Sequence, residues 1–135
     1  FLDLLRACDW IVIPTELERH SIEGVTLMAR VAQQLCDEGR GLRLMGIVPN
    51  DTNVHTVLHR AQMSELMQAY GQAVWPALPH TVKVGEVCAV GSTLFAEYPN
   101  EEITRKMRAV ARRMMEVLNG TQKTARTTAV RRAAC

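Results

Sequence analysis

The run WIVI at residues 10–13 holds no polar position and predicts a strand buried on both faces. Asp9 precedes it, and Pro14, which lacks an amide to continue a ladder, is expected to stop it. Upstream, FLDLLRAC (1–8) reads as the end of a helix whose start is missing. After the polar loop TELERHS, Ser21 is the expected cap of a helix that ends near Gly39. Its apolar stripe is Ile22, Val25, Leu27, Met28, Val31, Ala32 and Leu35. LRLMGIV (42–48) is the next strand, followed by the polar loop PNDTNVH. Thr56 then caps a helix with Val57, Leu58, Ala61, Met63, Leu66 and Met67 facing inward, closed by Gly71. AVWPALP (73–79) reads as a short strand with prolines at its end, and TVKVGEVCAVG as a short, weak helix. Asn100 caps a long final helix, about 101–118, with Ile103, Met107, Val110, Met114 and Leu118 as its stripe. Gly120 ends it, and 121–135 lacks sustained periodicity. The organisation expected is therefore one α/β domain over 1–119 and a basic, disordered tail over 120–135.

Strands alternating with helices of ten or more residues predict an α/β fold: a mainly parallel sheet with helices on both faces, a partial three-layer arrangement. Ligands of such sheets bind beyond the carboxyl ends of the strands. Here those ends are the loops after Pro14, Val48 and Leu78. WIVIP reads as a central strand whose N-terminal-side neighbours are missing, and the isolated chain is expected to expose it as an apolar edge.

Composition changes this picture little. The 135 residues are 47% hydrophobic and 22% charged, which suits one soluble domain with a real core. No apolar run approaches membrane-spanning length, and no signal peptide is visible; the first residue is Phe, so the chain is expected to be cut or processed from something longer. Cys8, Cys36, Cys88 and Cys135 lie far apart and read as free thiols. Charge matters more. The net charge of +2 divides into an acidic body (1–102: 7 Lys/Arg, 13 Asp/Glu) and a basic end (103–135: 9 Lys/Arg, one Glu). That asymmetry fits a polyanion partner, and it equally fits a solvated helix with a basic tail.

The ordered set CDWIVIPTELERHSIEGV, LRLMGIVPNDTN and YGQAVWPALPHTVKVGEVCAVGSTLFAEYPN resembles the C-terminal half of the ParA/MinD-type partition ATPases. The matching positions are Ala7–Asp9, Ile11–Pro14, Ser21–Gly24, Gly46–Pro49, Leu78–Pro79, Val82–Val84, Glu86, Gly91 and Glu97–Pro99, and the likeness covers residues 1 to about 118. The resemblance implies a P-loop NTPase-like fold with its N-terminal part missing. For the complete family protein it implies ATP and Mg, an ATP-bound homodimer, non-specific DNA, a ParB-like adaptor, and a cytoplasmic, nucleoid-associated location. It also implies that Pro49, Asn50 and Asp51 with Pro79 and His80 flank the adenine. On the residues alone, Pro49–Asn50–Asp51 reads equally as a turn chosen for its backbone preferences. The family's deviant phosphate loop has no counterpart here: residues 1–135 contain no GxxxxGKS/T and no Gly-Lys pair. As written, the chain is not expected to hydrolyse ATP, and no catalytic residue is assigned to it.

For DNA, the resemblance points to Lys83, while His80 replaces the usual Arg and NVHT replaces an Arg-rich segment. Arg105, Arg108 and Arg112 at i, i+3 and i+7, with Lys106 and Arg113 beside them, form a basic stripe able to neutralise phosphates; a solvated helix face is the alternative. The other functional reading kept open is a non-catalytic α/β module binding DNA or a protein through this helix. A flavodoxin-like binding domain fits less well, for want of a phosphate loop. His55 and His59 lack a third ligand for zinc, so no metal site is assigned. Glu16 and Glu18 read as solvated carboxylates, and Ser21 lacks a nucleophile motif. The tail is too poor in bulky apolar residues for membrane binding.

Overall fold

Two parallel strands form the centre of the molecule, β1 (Trp10–Thr15) and β2 (Arg43–Pro49), paired from Trp10↔Arg43 to Thr15↔Pro49. The computed structural model describes residues 2–39 and 41–133, with side chains as far as Gly120. Around the strands lie α1 (Leu2–Arg6), α2 (Arg19–Asp37), α3 (Val57–Tyr70), a 3-10 turn (Gly71–Ala73), α4 (Lys83–Ala89), α5 (Leu94–Glu97) and α6 (Glu102–Ala133). This is the partial α/β arrangement expected.

The pairing contains one irregularity with a clear consequence. Ile11 pairs with Leu44 but Val12 pairs with Gly46, so Met45 is an extra residue in β2. Strict alternation would send Leu44 and Ile47 to opposite faces. The bulge returns both to the face covered by α2 and α3, where Ile13, Leu17, Ile22, Val25, Ile47 and Leu66 form the main core. A second cluster, Leu5, Ala32, Leu35 and Leu42, closes the far end beneath α1. The other face of β2 explains Gly46. A Cβ there would sit 2.2 Å from the ring of Trp75, so only glycine lets the buried indole lie flat against the strand. Helix α6 approaches β2 from this side, and Ala109 and Arg112 share a cavity of about 470 Å³ with Trp75.

Pro14 does not stop β1, which continues to Thr15. Asp9 and Thr15 accept hydrogen bonds from Arg43 and Asn50, so odd-numbered residues face β2 and even-numbered ones face outward. Pro14 therefore places its missing N–H on the outer edge, where no ladder bond is lost. No described segment pairs with that edge.

Several sequence expectations need correction. The segment 73–79 is not a strand: it makes isolated parallel bridges, Ile47↔Val74 and Thr52↔Pro79, because Pro76 and Pro79 cannot donate to a continuous ladder. Helix α2 starts at Arg19 rather than after Ser21, and Thr56 occupies the cap position of α3 but donates its hydroxyl to the Asn53 carbonyl instead. Leu27, Val57, Leu58 and Met67 are exposed; α3 buries only Leu66 fully, with Met63 and Tyr70 beside it. Finally, α6 runs on to Ala133, past Gly120, where a disordered tail was expected. One interior glycine costs a helix only about 1 kcal/mol, and Gln, Lys, Ala and Arg follow it. Ala134 and Cys135 lie outside the described residues.

Candidate functional site

The chain leaves β2 at Pro49 and turns through Asn50 and Asp51, with Asp51 at φ 53°. Among the described residues it is the one non-glycine in left-handed backbone, a conformation that Asp and Asn tolerate best. The turn carries Thr52 alongside the segment 78–80. Leu78 N–H donates to the Pro49 carbonyl at 2.8 Å, Thr52 N–H to Leu78 at 3.0 Å, and His80 N–H to Thr52 at 3.0 Å. The buried Thr52 hydroxyl donates to the same Leu78 carbonyl at 3.1 Å. Across the top, His80 Nδ1 lies 2.6 Å from Asp51 Oδ1. A carboxylate only accepts, so the Nδ1–H of His80 is the donor. Asn50, Asp51 and His80, with the half-buried Pro79, are thus exposed at the carboxyl end of the sheet, while Pro49, expected beside them, is fully buried beneath. Beside it a cavity of about 550 Å³ opens between the end of β1 and the start of α2, lined by Thr15, Glu16, Ser21 and Asn50 among others.

Beyond Asp51 the loop braces itself. Asn53 N–H donates to His59 Nδ1 at 2.9 Å, and Asn53 Oδ1 accepts from His55 N–H at 3.1 Å. His59 is therefore engaged as a loop acceptor, and among the described residues no group of three His, Cys, Asp or Glu side chains is placed to hold a metal. Cys8, Cys36 and Cys88 are unpaired.

The basic residues of the last helix lie apart from this surface, and most have local partners. Arg105 donates to the Asn100 carbonyl at 2.6 Å and Arg108 to the Pro99 carbonyl at 2.7 Å; Arg108 also sits 5.5 Å from the Phe95 ring centroid. Arg113 pairs with Glu116 at 3.3 Å, and Lys83 with Glu101 at 2.6 Å while lying over Tyr98. Only for Lys106 and Arg112 of the stripe is no ion pair or hydrogen bond seen among the described residues. The start of α6 is fixed by Thr104, fully buried, which donates to the Tyr98 carbonyl at 2.6 Å. Tyr98 in turn donates to Glu86 at 2.9 Å, and this hydrogen bond, with the negative charge of Glu86, pushes its phenol pKa up. Neither threonine, Thr52 or Thr104, stood out in the sequence, because each holds a carbonyl that becomes adjacent only on folding.

No family model matches the chain. Over 116 residues it is 27% identical to the chromosome-partitioning ATPase Soj of Thermus thermophilus, a span of 84% of this chain and 47% of Soj. It is 32% identical over 68 residues to protein IncC of Escherichia coli, covering 50% of this chain and 19% of IncC. Its fold matches that of apo McdA from Cyanthece with a TM-score of 0.68 at 14% identity, over 82% of this chain and 46% of McdA.

The chain is related to the ParA/MinD-type partition ATPases. It spans about half the length of Soj and of McdA (47% and 46%). Set beside this kinship, the five positions that the resemblance brings to the adenine converge in space, through contacts spanning up to 29 positions. Of the six positions assigned to DNA, Lys83 and Arg113 lie against carboxylates, whereas Arg105 and Arg108 donate only to backbone carbonyls. Among the described residues no helix is long and apolar enough to cross a membrane.

Proposed function

We propose that this chain supplies the base side of a nucleotide pocket and a basic DNA-contacting helix in a partition ATPase of the ParA type. The observation that carries the reading is the meeting of the Asn50–Asp51 turn with the Pro79–His80 segment at the carboxyl end of a parallel sheet, in a chain similar to Soj. Open parallel sheets bind ligands there. An exposed Asn amide both donates and accepts, which suits a purine edge, and the half-buried Pro79 leaves some apolar surface for the ring, while Pro49 is fully buried and supports the turn from beneath. The fit ends at the base. No glycine-rich lysine loop occurs in residues 1–135, and among the described residues no carboxylate cluster is placed to hold Mg, so these residues are given no hydrolytic step. Lys106 and Arg112 are the strongest phosphate contacts; Arg105 and Arg108 keep their charge and spare N–H donors while bound to backbone carbonyls, and Lys83 and Arg113 are partly offset by Glu101 and Glu116. Homodimerisation, a ParB-like adaptor and residence on the nucleoid in the cytoplasm follow as parts of the same reading.

The test is binding of the protein, at its full natural length, to a random-sequence DNA duplex with and without Mg·ATP across a salt series. The reading expects ATP to strengthen binding and salt to weaken it steeply. DNA binding indifferent to ATP overturns the nucleotide half and favours the plain interaction module; no binding overturns the DNA half.

A further inference from the structure

The Asp51–His80 contact is odd as a stabilising device. Both side chains are largely exposed, at 52% and 65%, and an exposed ion pair adds little to folding. Yet Asp51 holds a left-handed backbone that most residues avoid, and the contact distance is only 2.6 Å. Asp is among the residues that tolerate this backbone best, so the turn can present its carboxylate to His80 at little cost, in a contact suited to fixing position rather than adding stability. The contact is made at the outer rim of the two loops, beyond the backbone bonds that join Thr52 to Leu78 and His80. It ties the turn that carries Asn50 to the residue that follows Pro79.

Building on the nucleotide reading above, we propose that Asp51 and His80 are a positioning pair. They hold the turn that carries Asn50 against the Pro79 segment and thereby set the preference for a purine base, while Asn50 does the reading. Both residues act through geometry rather than by touching the base, so their loss changes discrimination between bases more than grip on phosphates.

The experiment measures affinity of the full-length protein for fluorescently labelled ATP and CTP. The proteins compared are wild type, Asp51→Ala, His80→Ala, the double variant and Asp51→Asn, which keeps an oxygen to accept the Nδ1–H. Thermal melting checks that each folds; if Asp51→Ala does not, His80→Gln and Asp51→Asn carry the comparison. The expected result is a loss of ATP affinity of about tenfold in each alanine variant, the scale of one net hydrogen bond, with CTP affinity unchanged. The double variant should be no worse than either single one, and Asp51→Asn should recover most of the loss. Equal losses for ATP and CTP, additive losses, or an Asp51→Asn as poor as Asp51→Ala overturn the pair. A wild-type protein that binds neither nucleotide overturns the nucleotide reading itself.

Discussion

The loops at the carboxyl end of the sheet and the basic helix α6 are both polar and exposed, but they spend their polar groups differently. In the loops, partners come from far apart in the chain: Thr52 with Leu78, and Asp51 with His80. Such contacts exist only if the sheet has formed, and they give the surface a defined shape. In α6, Arg105, Arg108 and Arg113 find partners within nine positions of themselves. These contacts fasten the start of the helix and the α5–α6 junction. The contrast shows that a count of charges overstates a binding surface when the charges already serve the fold, and that five unremarkable loop residues understate one.

The strongest way to break the loop surface is from beneath. Gly46→Val drives a side chain into Trp75, which anchors the segment leading to Pro79; overpacking of this kind should cost about 3 kcal/mol, seen as a lower urea midpoint. Gly24→Ala, with nothing within 4 Å of the new methyl, should instead leave stability unchanged or raise it by up to about 1 kcal/mol. A Gly46→Val protein as stable as wild type would mean Trp75 is not packed as described.

Next in size is a separation within α6. Replacing Lys106 and Arg112 by Ala should lower DNA affinity about tenfold at moderate salt and flatten the log–log salt slope by roughly 2. Replacing Arg105 and Arg108 should cost about 1 kcal/mol of stability each, with a smaller change in slope. Equal effects of the two pairs on the slope would erase the distinction between the two unpaired cations and the two carbonyl-bound arginines.

Lys83→Met removes a pair whose partners are 30% and 48% exposed, so its cost should stay below about 1 kcal/mol in chemical denaturation. The smallest effect concerns Tyr98. Its phenol pKa is raised in the folded chain, first by the hydrogen bond to Glu86, above the ordinary 10.0. A raised value means the neutral phenol is favoured by folding. The contribution is therefore complete below pH 10.0 and lost as pH climbs through the folded value. Absorbance titration should place Tyr98 above free tyrosine, and Glu86→Gln should bring it back towards 10.0.

Local pattern carried much of this. The first two strands, the helices on either side of them and the loops at the strands' carboxyl ends were legible, because periodicity and proline punctuation are local signals. The bulge at Met45 was not, since it serves to keep Leu44 and Ile47 on one face, a requirement set by α2 and α3. The failure of 73–79 to form a strand had a visible sign in Pro76 and Pro79, and Gly46 in mid-strand signalled a close approach whose partner, Trp75, lay 29 positions away. Neither the folding back of Arg105 and Arg108 nor the meeting of Asp51 with His80 has a local signature.

The most direct measurement is hydrogen exchange of the full-length protein with and without Mg·ATP. The loop surface, if it is the base side of the pocket, should show slowed exchange concentrated at Thr52, Leu78 and His80, with the outward face of α6 unchanged until DNA is added. Slowing spread evenly over the chain, or absent from those amides while ATP is bound, would contradict the assignment.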